Sequence, residues 1–251
     1  MMKLTVLGSG TMMPTKTRNP SAFLVEAGTT RILLDCGHET IRRMIDLSID
    51  PQSLNAVFIS HFHTDHAGDA FNLVHSRFVE DAYKKQPSKE LIFIGPENIE
   101  ENFRKWRTIF WPEPKEDYPL KFYKGSQKIK IGELIIETFP IIHTQWFQSV
   151  GIKIQAESKT IIYTGDMGGE NKIEDLALKM KNADLLITEA TYEYPTPNHF
   201  TVEQLEELVK IANIKKVLLV HFRPGHDEKV KIILTNKKNF QIAEDRTTLV
   251  I

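Results

Sequence analysis

The sequence predicts an α/β protein, a four-layer αββα sandwich with two sheets inside and helices outside. Three observations carry this. Strand-like apolar runs dominate the first part, helical spacings then mix in, and the same succession repeats. No Pro/Gly/Ser-rich linker divides the chain, so one domain over 1–251 is expected. The 251 residues are enough for one sizeable core.

Taken in order, Lys3–Leu7 reads as a strand ending in a Gly-Ser-Gly turn. Ala22–Glu26 and Arg31–Asp35 flank Ala27-Gly28-Thr29-Thr30, a hairpin. Thr40–Leu47 is helical, with Ile41, Met44 and Ile45 on one face and Pro51 beyond its end. Ala56–Ser60 is the next strand. Ala70, Phe71, Val74 and Phe78 recur at helical spacing, and Leu91–Ile94 is a strand. Pro96 suits a helix first turn, with Ile99, Phe103, Trp106 and Phe110 facing inward. Residues 111–123, rich in Pro and aromatics, read as a long loop that either covers a site or is pinned to the surface by its aromatics. Lys128–Pro140 alternates as a strand. Val150–Ala156 and Thr160–Thr164 pair across Glu157-Ser158-Lys159. A helix near Ile173–Met180 precedes strand Leu185–Thr188. Thr201-x-x-Gln204 is a capping box for a helix that buries Val202, Leu205, Leu208 and Val209. Val217–Val220 is a buried strand, with a weaker one at the C-terminus.

Composition bounds the function. Net charge is −1 with His neutral, so no global field draws the chain to nucleic acid or an anionic membrane. Apolar runs are of strand length, far below a membrane span. Cys36 is the only cysteine, which excludes an intrachain disulfide and fits a reducing cytoplasm. Met1–Gly10 is strand-like and lacks the n-region and cleavage site of a signal peptide. A cytoplasmic location is the expectation.

The most informative segment is His61-Phe62-His63-Thr64-Asp65-His66, directly after the apolar run Ala56–Ser60. Imidazole and carboxylate are standard zinc ligands, and strand-end loops are where folded proteins carry chemistry. Four more groups stand just past apolar runs: His143, Asp166, Glu189 and His221. If these strands share one core and one polarity, their ends converge on one rim. Together they supply what a two-metal site needs, namely several imidazoles, a terminal carboxylate and a carboxylate able to bridge.

On these residues the chain resembles the metallo-β-lactamase superfamily. The His-x-His-x-Asp-His motif at 61–66, the following His143, the Thr164-Gly165-Asp166 turn and the late His221 come in that superfamily's order. The resemblance implies that His61, His63 and His143 hold one metal, that Asp65, His66 and His221 hold a second, and that Asp166 bridges them. Within the superfamily the chain is similar to the ribonuclease Z-like branch. Leu7-Gly8-Ser9-Gly10-Thr11 with Pro14, Arg18 and Asn19, then Leu34-Asp35-Cys36-Gly37, then Glu189-Ala190-Thr191 followed by His199-Phe200-Thr201 carry that likeness. Two features depart from it. The arm with which ribonuclease Z enzymes grip tRNA lies between the positions matching His143 and Asp166, and here these are 23 positions apart. His38 stands where that branch has an acidic residue.

The expected chemistry is phosphodiester hydrolysis. Two Zn²⁺ (or Mn²⁺ or Fe) lower the pKa of a shared water to give a metal-bridging hydroxide, which Asp65 also orients. His199 is the expected general acid, with Glu189 raising its pKa. The substrate is then a small phosphodiester or a short nucleic acid. A tRNA 3′-end endonuclease without the arm is the alternative, and a lactone, lactam or thiolester hydrolase a third. A homodimer is left open. Gly8-x-Gly10 is no dinucleotide fingerprint, because Met13 stands at the third glycine and no βαβ unit follows. His38, His75 and His226 read as structural, and Arg104, Lys105 and Arg107 as a solvated helix face. Trp146 and Phe147 either wall the pocket or pack.

Overall fold

The computed structural model describes residues 1–112, 118–189, 192, 194 and 196–251. In chain order the elements are β1 (Met2–Gly8), β2 (Ala22–Ala27), β3 (Thr30–Leu34), α1 (Thr40–Asp46), β4 (Ala56–Phe58), α2 (Thr64–Ala67), α3 (Ala70–Lys84), β5 (Leu91–Gly95), α4 (Ile99–Phe110), β6 (Leu120–Lys124), β7 (Lys128–Ile131), β8 (Leu134–Ile141), β9 (Ser149–Ala156), β10 (Lys159–Tyr163), α5 (Ile173–Met180), β11 (Leu185–Glu189), α6 (Val202–Ala212), β12 (Val217–Val220), α7 (His226–Ile233), β13 (Phe240–Ile242) and β14 (Thr248–Val250).

The strands form two sheets, ordered β14-β1-β2-β3-β4-β5-β6 and β13-β12-β11-β10-β9-β8-β7. Between them lies one apolar layer, in which Leu4, Phe23, Ile32 and Phe58 of the first sheet meet Ile136, Ile152, Ile161 and Ile187 of the second. The outer faces are covered as the sequence predicts. Helices α1, α3 and α4 pack Met44, Phe71, Val74 and Phe103 on Leu33, Val57 and Phe93. Helices α5, α6 and α7 pack Leu176, Leu205, Leu208 and Val230 on Ile162, Leu186 and Leu219. Strands buried on both faces read as unbroken apolar runs, which is why Leu185–Ile187 and Val217–Val220 carry no alternation.

Polarity places the site. Strands β10, β11 and β12 are mutually parallel. Strand β8 runs antiparallel to β9, and β9 antiparallel to β10, so β8 points the same way as those three. In the other sheet β4 is parallel to both neighbours. The backbone bond from Val150 N–H to Ser60 O (3.0 Å) joins the two sheets at that rim.

Several expectations are corrected. Ile45 and Phe110 are exposed on their helices rather than facing inward. Pro96 stands before the Asn98 cap of α4, outside the helix. Lys128–Pro140 is two strands turning at Gly132-Glu133. Residues 120–124 form β6, so the loop expected over 111–123 is shorter. Trp111 and Tyr118 are buried, and its segment 113–117 lies outside the described residues. Helices α2 and α7 and strand β13 add to the sequence reading. Thr201 closes the expected capping box with Gln204. Among the described residues no helix is long and apolar enough to cross a membrane.

Candidate metal centre

The 61–66 segment leaves β4 with His61 fully buried, and His63 ends the extended stretch as the cap of α2. One helical turn then puts Asp65 and His66 at the same spot, both buried. His143 follows β8, and its loop is held by Asn171: Oδ1 accepts from Ile142 N–H (2.9 Å), and Nδ2 donates to Ile142 O (2.6 Å) and Gly168 O (2.7 Å). Asp166 follows β10 through Gly165, whose φ of +62° and closeness to Ser60 leave no room for a Cβ (2.5 Å from the Ser60 Cβ). His221 follows β12 with φ +64°. A left-handed non-glycine residue costs about 1–3 kcal/mol. Two bonds, from His221 N–H (2.8 Å) and Phe222 N–H (3.2 Å) to Ser9 O, offset it at roughly 1 kcal/mol each.

The structure brings all the predicted ligand residues together. Donor atoms of His61, His63, His143 and Asp166 lie within 4.8 Å of one another, and so do those of Asp65, His66 and His221. Asp166 faces both sets. Its Oδ2 is 4.0 Å from His61 Nε2 and 3.7 Å from His143 Nε2, and its Oδ1 is 3.2 Å from His66 Nε2. Asp65 Oδ2 is 3.2 Å from His221 Nε2. The buried atoms His66 Nε2 and Asp166 Oδ1 make no hydrogen bond. Buried polar atoms without partners are costly, and a cation between them would satisfy both.

The electrostatics agree. Burial holds His61 well below the usual imidazole range, with the neighbouring His66 adding to it. Burial likewise brings His143 down to about 4. Neutral imidazole is the metal-ligating form. His66 is different: burial opposes its charge, but Asp166 and Asp35 outweigh that and raise it well above the usual range. Burial also opposes ionisation of Asp166, yet His221 and His66 hold it well below the carboxylate range. The site therefore carries carboxylate charge that draws in a proton or a cation. The residues fit a metal.

Sequence reasoning missed Asp35 as a functional residue. Its Oδ2 accepts from His66 Nδ1 (2.6 Å), Ser60 Oγ (2.8 Å) and Tyr163 OH (2.5 Å), and its Oδ1 from Ser60 N–H (2.7 Å). It thereby fixes the His66 ring with Nε2 toward Asp166. The signal was present: Asp35 is a carboxylate just past an apolar strand, like Asp166. Asn171 carried no such signal.

Glu189 ends β11, fully buried, and His199 reaches it from the loop before α6. His199 Nδ1 is 2.5 Å from Glu189 Oε1, which also accepts from Met167 N–H (3.1 Å). Burial opposes the His199 charge, but the bond to Glu189 and its charge prevail and raise the pKa. Burial raises Glu189 as well, against the pull of His199. The His199 ring stacks on Tyr192 (4.4 Å, 4° between planes), and the Arg223 guanidinium lies over that same Tyr192 ring, 4.4 Å from its centroid. Donor atoms of His199, Asp166 and His221 also lie within 4.8 Å. Of the motif around this pair, Ala190 and Thr191 lie outside the described residues.

The centre opens into a cavity of about 470 Å³ lined also by Met12, Met13, Trp146, Phe147, Tyr192 and Arg223. Phe147 packs on His63 (ring centroids 4.4 Å apart), whereas Trp146 stands 81% exposed at the rim. The Gly8–Thr11 turn reaches the centre through Ser9 O. The remaining candidates lie outside the cluster. His75 stacks on Trp111, exposed His38 covers Gly68, and His226 begins α7. Arg104 and Lys105 pair with Glu100 and Glu101 one turn back, a solvated face.

The comparisons agree with this architecture. The ribonuclease Z of Archaeoglobus fulgidus is 23% identical, over 98% of this chain and 97% of its own. The metallo-β-lactamase fold protein YhfI of Bacillus subtilis superposes with a TM-score of 0.81 at 24% identity, covering 99% of this chain and 98% of that one. A diphosphatase from the PhnP family gives 0.78 at 17%, covering 100% and 98%. The family model described as Anti-Pycsar protein Apyc1 matches residues 2–248. The chain belongs to that Apyc1 family and is a ribonuclease Z-like, metal-dependent hydrolase of the metallo-β-lactamase superfamily.

Proposed function

We propose that the protein is a binuclear phosphodiesterase acting on small phosphodiesters, with zinc as its metal and manganese or iron as substitutes. The observation that carries this is the pair of donor sets sharing Asp166, with the Glu189–His199 pair on their open side. His61, His63 and His143 would hold one ion, Asp65, His66 and His221 the other, and Asp166 both. When bound, such ions offset phosphoryl charge and make water a nucleophile near neutral pH. The protein's own residues do the rest. Asp35 and Asn171 hold the ligands in place, and Asp65 also orients the nucleophile. His199, kept protonated by Glu189, gives its proton to the leaving oxygen. Phe147 and Trp146 border the cavity that receives the substrate.

The small substrate rests on the 143–166 segment, which is filled by the β9–β10 hairpin alone. The aligned ribonuclease Z has at least 56 positions without a counterpart here. That relative's end-to-end match supports a second reading, tRNA 3′-end cleavage using another surface. A turnover panel tests both: an aryl phosphodiester, cyclic nucleotides, precursor tRNA, a lactone and a thiolester. Turnover of the aryl and cyclic diesters above the others is expected. Efficient cleavage of precursor tRNA alone would select the second reading. Preference for the lactone or thiolester would contradict both and make Glu189 and His199 incidental.

A further inference from the structure

A second cleft of about 460 Å³, close in volume to the catalytic one, lies where the loop after β1, helix α1, helix α7 and the segment before β14 meet. It holds five cationic side chains, Lys16, Arg18, Arg43, Lys231 and Arg246. Three acids line it with them, Asp227, Glu244 and Asp245, and two more approach from outside, Glu228 at 2.5 Å from Lys231 and Asp46 at 4.0 Å from Arg246.

The acids leave Arg43 short of partners. Both oxygens of Asp245 are occupied by the loops, accepting from Ser9 N–H (2.9 Å), Ser9 Oγ (2.7 Å) and Asn19 N–H (2.7 Å). Asp245 meets Arg43 only at 3.9 Å, and the buried Arg43 Nε has no hydrogen-bond partner. Asp227 reaches Arg18 at 3.3 Å, and Arg246 reaches Asp46 only at 4.0 Å. Guanidinium groups around a concave site favour a tetrahedral oxyanion, and an unsatisfied Arg43 Nε offers it a donor. A phosphate monoester carries about −1.5 to −2 at pH 7 and three acceptor oxygens, which suits several guanidinium and ammonium donors converging on one cleft.

The cleft is wired to the metal centre. Arg18 Nη1 donates to Ser9 Oγ (2.6 Å) and to Ala243 O (2.6 Å), and its guanidinium lies 5.0 Å over the Phe222 ring. Ser9 O in turn accepts from the N–H groups of His221, whose backbone is left-handed, and of Phe222. An anion that draws Arg18 from Asp227 therefore acts on the strut that sets His221.

We propose that this cleft binds a phosphate dianion, free or as the terminal group of a small phosphorylated metabolite, and that occupancy is transmitted through Arg18 and Ser9 to the metal centre. The site stands on residues outside that centre and is tested by binding alone; the coupling rests on the phosphodiesterase reading, through its reporter substrate. The test measures binding of inorganic phosphate and of a nucleoside 5′-monophosphate to the metal-loaded protein by equilibrium dialysis. Besides any binding at the metals, a site should appear that Lys16→Glu/Lys231→Glu, a change at two exposed positions, weakens at least tenfold, and that His63→Ala leaves in place. Tighter binding of the monoester assigns the rest of the cleft to its organic part, and equal binding assigns the site to free phosphate. No binding by either probe, binding indifferent to the lysine changes, or binding lost with His63→Ala overturns the site. With an aryl phosphodiester as reporter, saturating probe should change kcat at least threefold in the parent protein and leave it unchanged in the lysine variant. An effect confined to KM would place the anion at the metal centre and overturn the coupling.

Discussion

At the scale of single residues, His199 is the most exposed assumption of the mechanism. If it gives a proton to the leaving oxygen, His199→Ala should slow a sugar phosphodiester by about 10²–10⁴-fold and an activated aryl diester much less. Equal losses on both substrates would remove the general-acid role. The pH dependence has a definite sign. Glu189 raises the His199 pKa against burial, so the acid form persists above the usual imidazole range. Activity on the poor leaving group should fall as pH rises through that raised value, and Glu189→Gln should move the fall to lower pH. Asp35 acts through His66. Asp35→Asn should weaken metal binding about 10–100-fold, read by competition with a chromophoric chelator. Most of the site was legible in the sequence because its polar groups follow apolar runs directly, so that burial and ligand chemistry appear side by side. Asp35 obeys the same rule, but its partners Ser60, His66 and Tyr163 come from strands that only the fold brings together. Asn171 works through backbone groups of Ile142 and Gly168, and no spacing announces that.

At the scale of elements, local chemistry was readable where it is self-contained. The Thr201–Gln204 box is complete in both directions and starts α6 where the sequence places it. It also ends the loop that carries His199. Thr201→Ala should therefore cost about 1 kcal/mol of stability by denaturant unfolding. Because His199 loses its fixed exit, activity should drop with it while metal content is unchanged. Other elements were hidden. Strand β6 follows a Pro-rich stretch and is only half-buried at the sheet edge, so Leu120–Lys124 lacks the apolar weight of a central strand. Strand β13 has three residues at the opposite edge. Helix α7 buries only Val230, so its pattern is close to that of a solvated loop. Phe110 ends α4 exposed, touching the core only at its edge through Phe71 (ring centroids 5.8 Å apart).

At the scale of the whole molecule, the strand ends converge only if the strands share one polarity, which the sequence states only as a condition. The sheets meet it: β8, β10, β11 and β12 all deliver their C-terminal ends to the rim that receives the loop after β4. The αββα layering followed from the order of runs, and the site from the residues at their ends. What the sequence left conditional was the distance between halves, now fixed by Asp166, 3.7 Å from His143 on one side and 3.2 Å from His66 on the other. The central claim is that both donor sets must be filled for phosphodiester cleavage. Zinc titrated into chelator-stripped protein, with aryl phosphodiester hydrolysis followed at each addition, tests this directly. The account predicts no activity without metal and a plateau at two ions per chain. Full activity at one ion, or in the stripped protein, would contradict it.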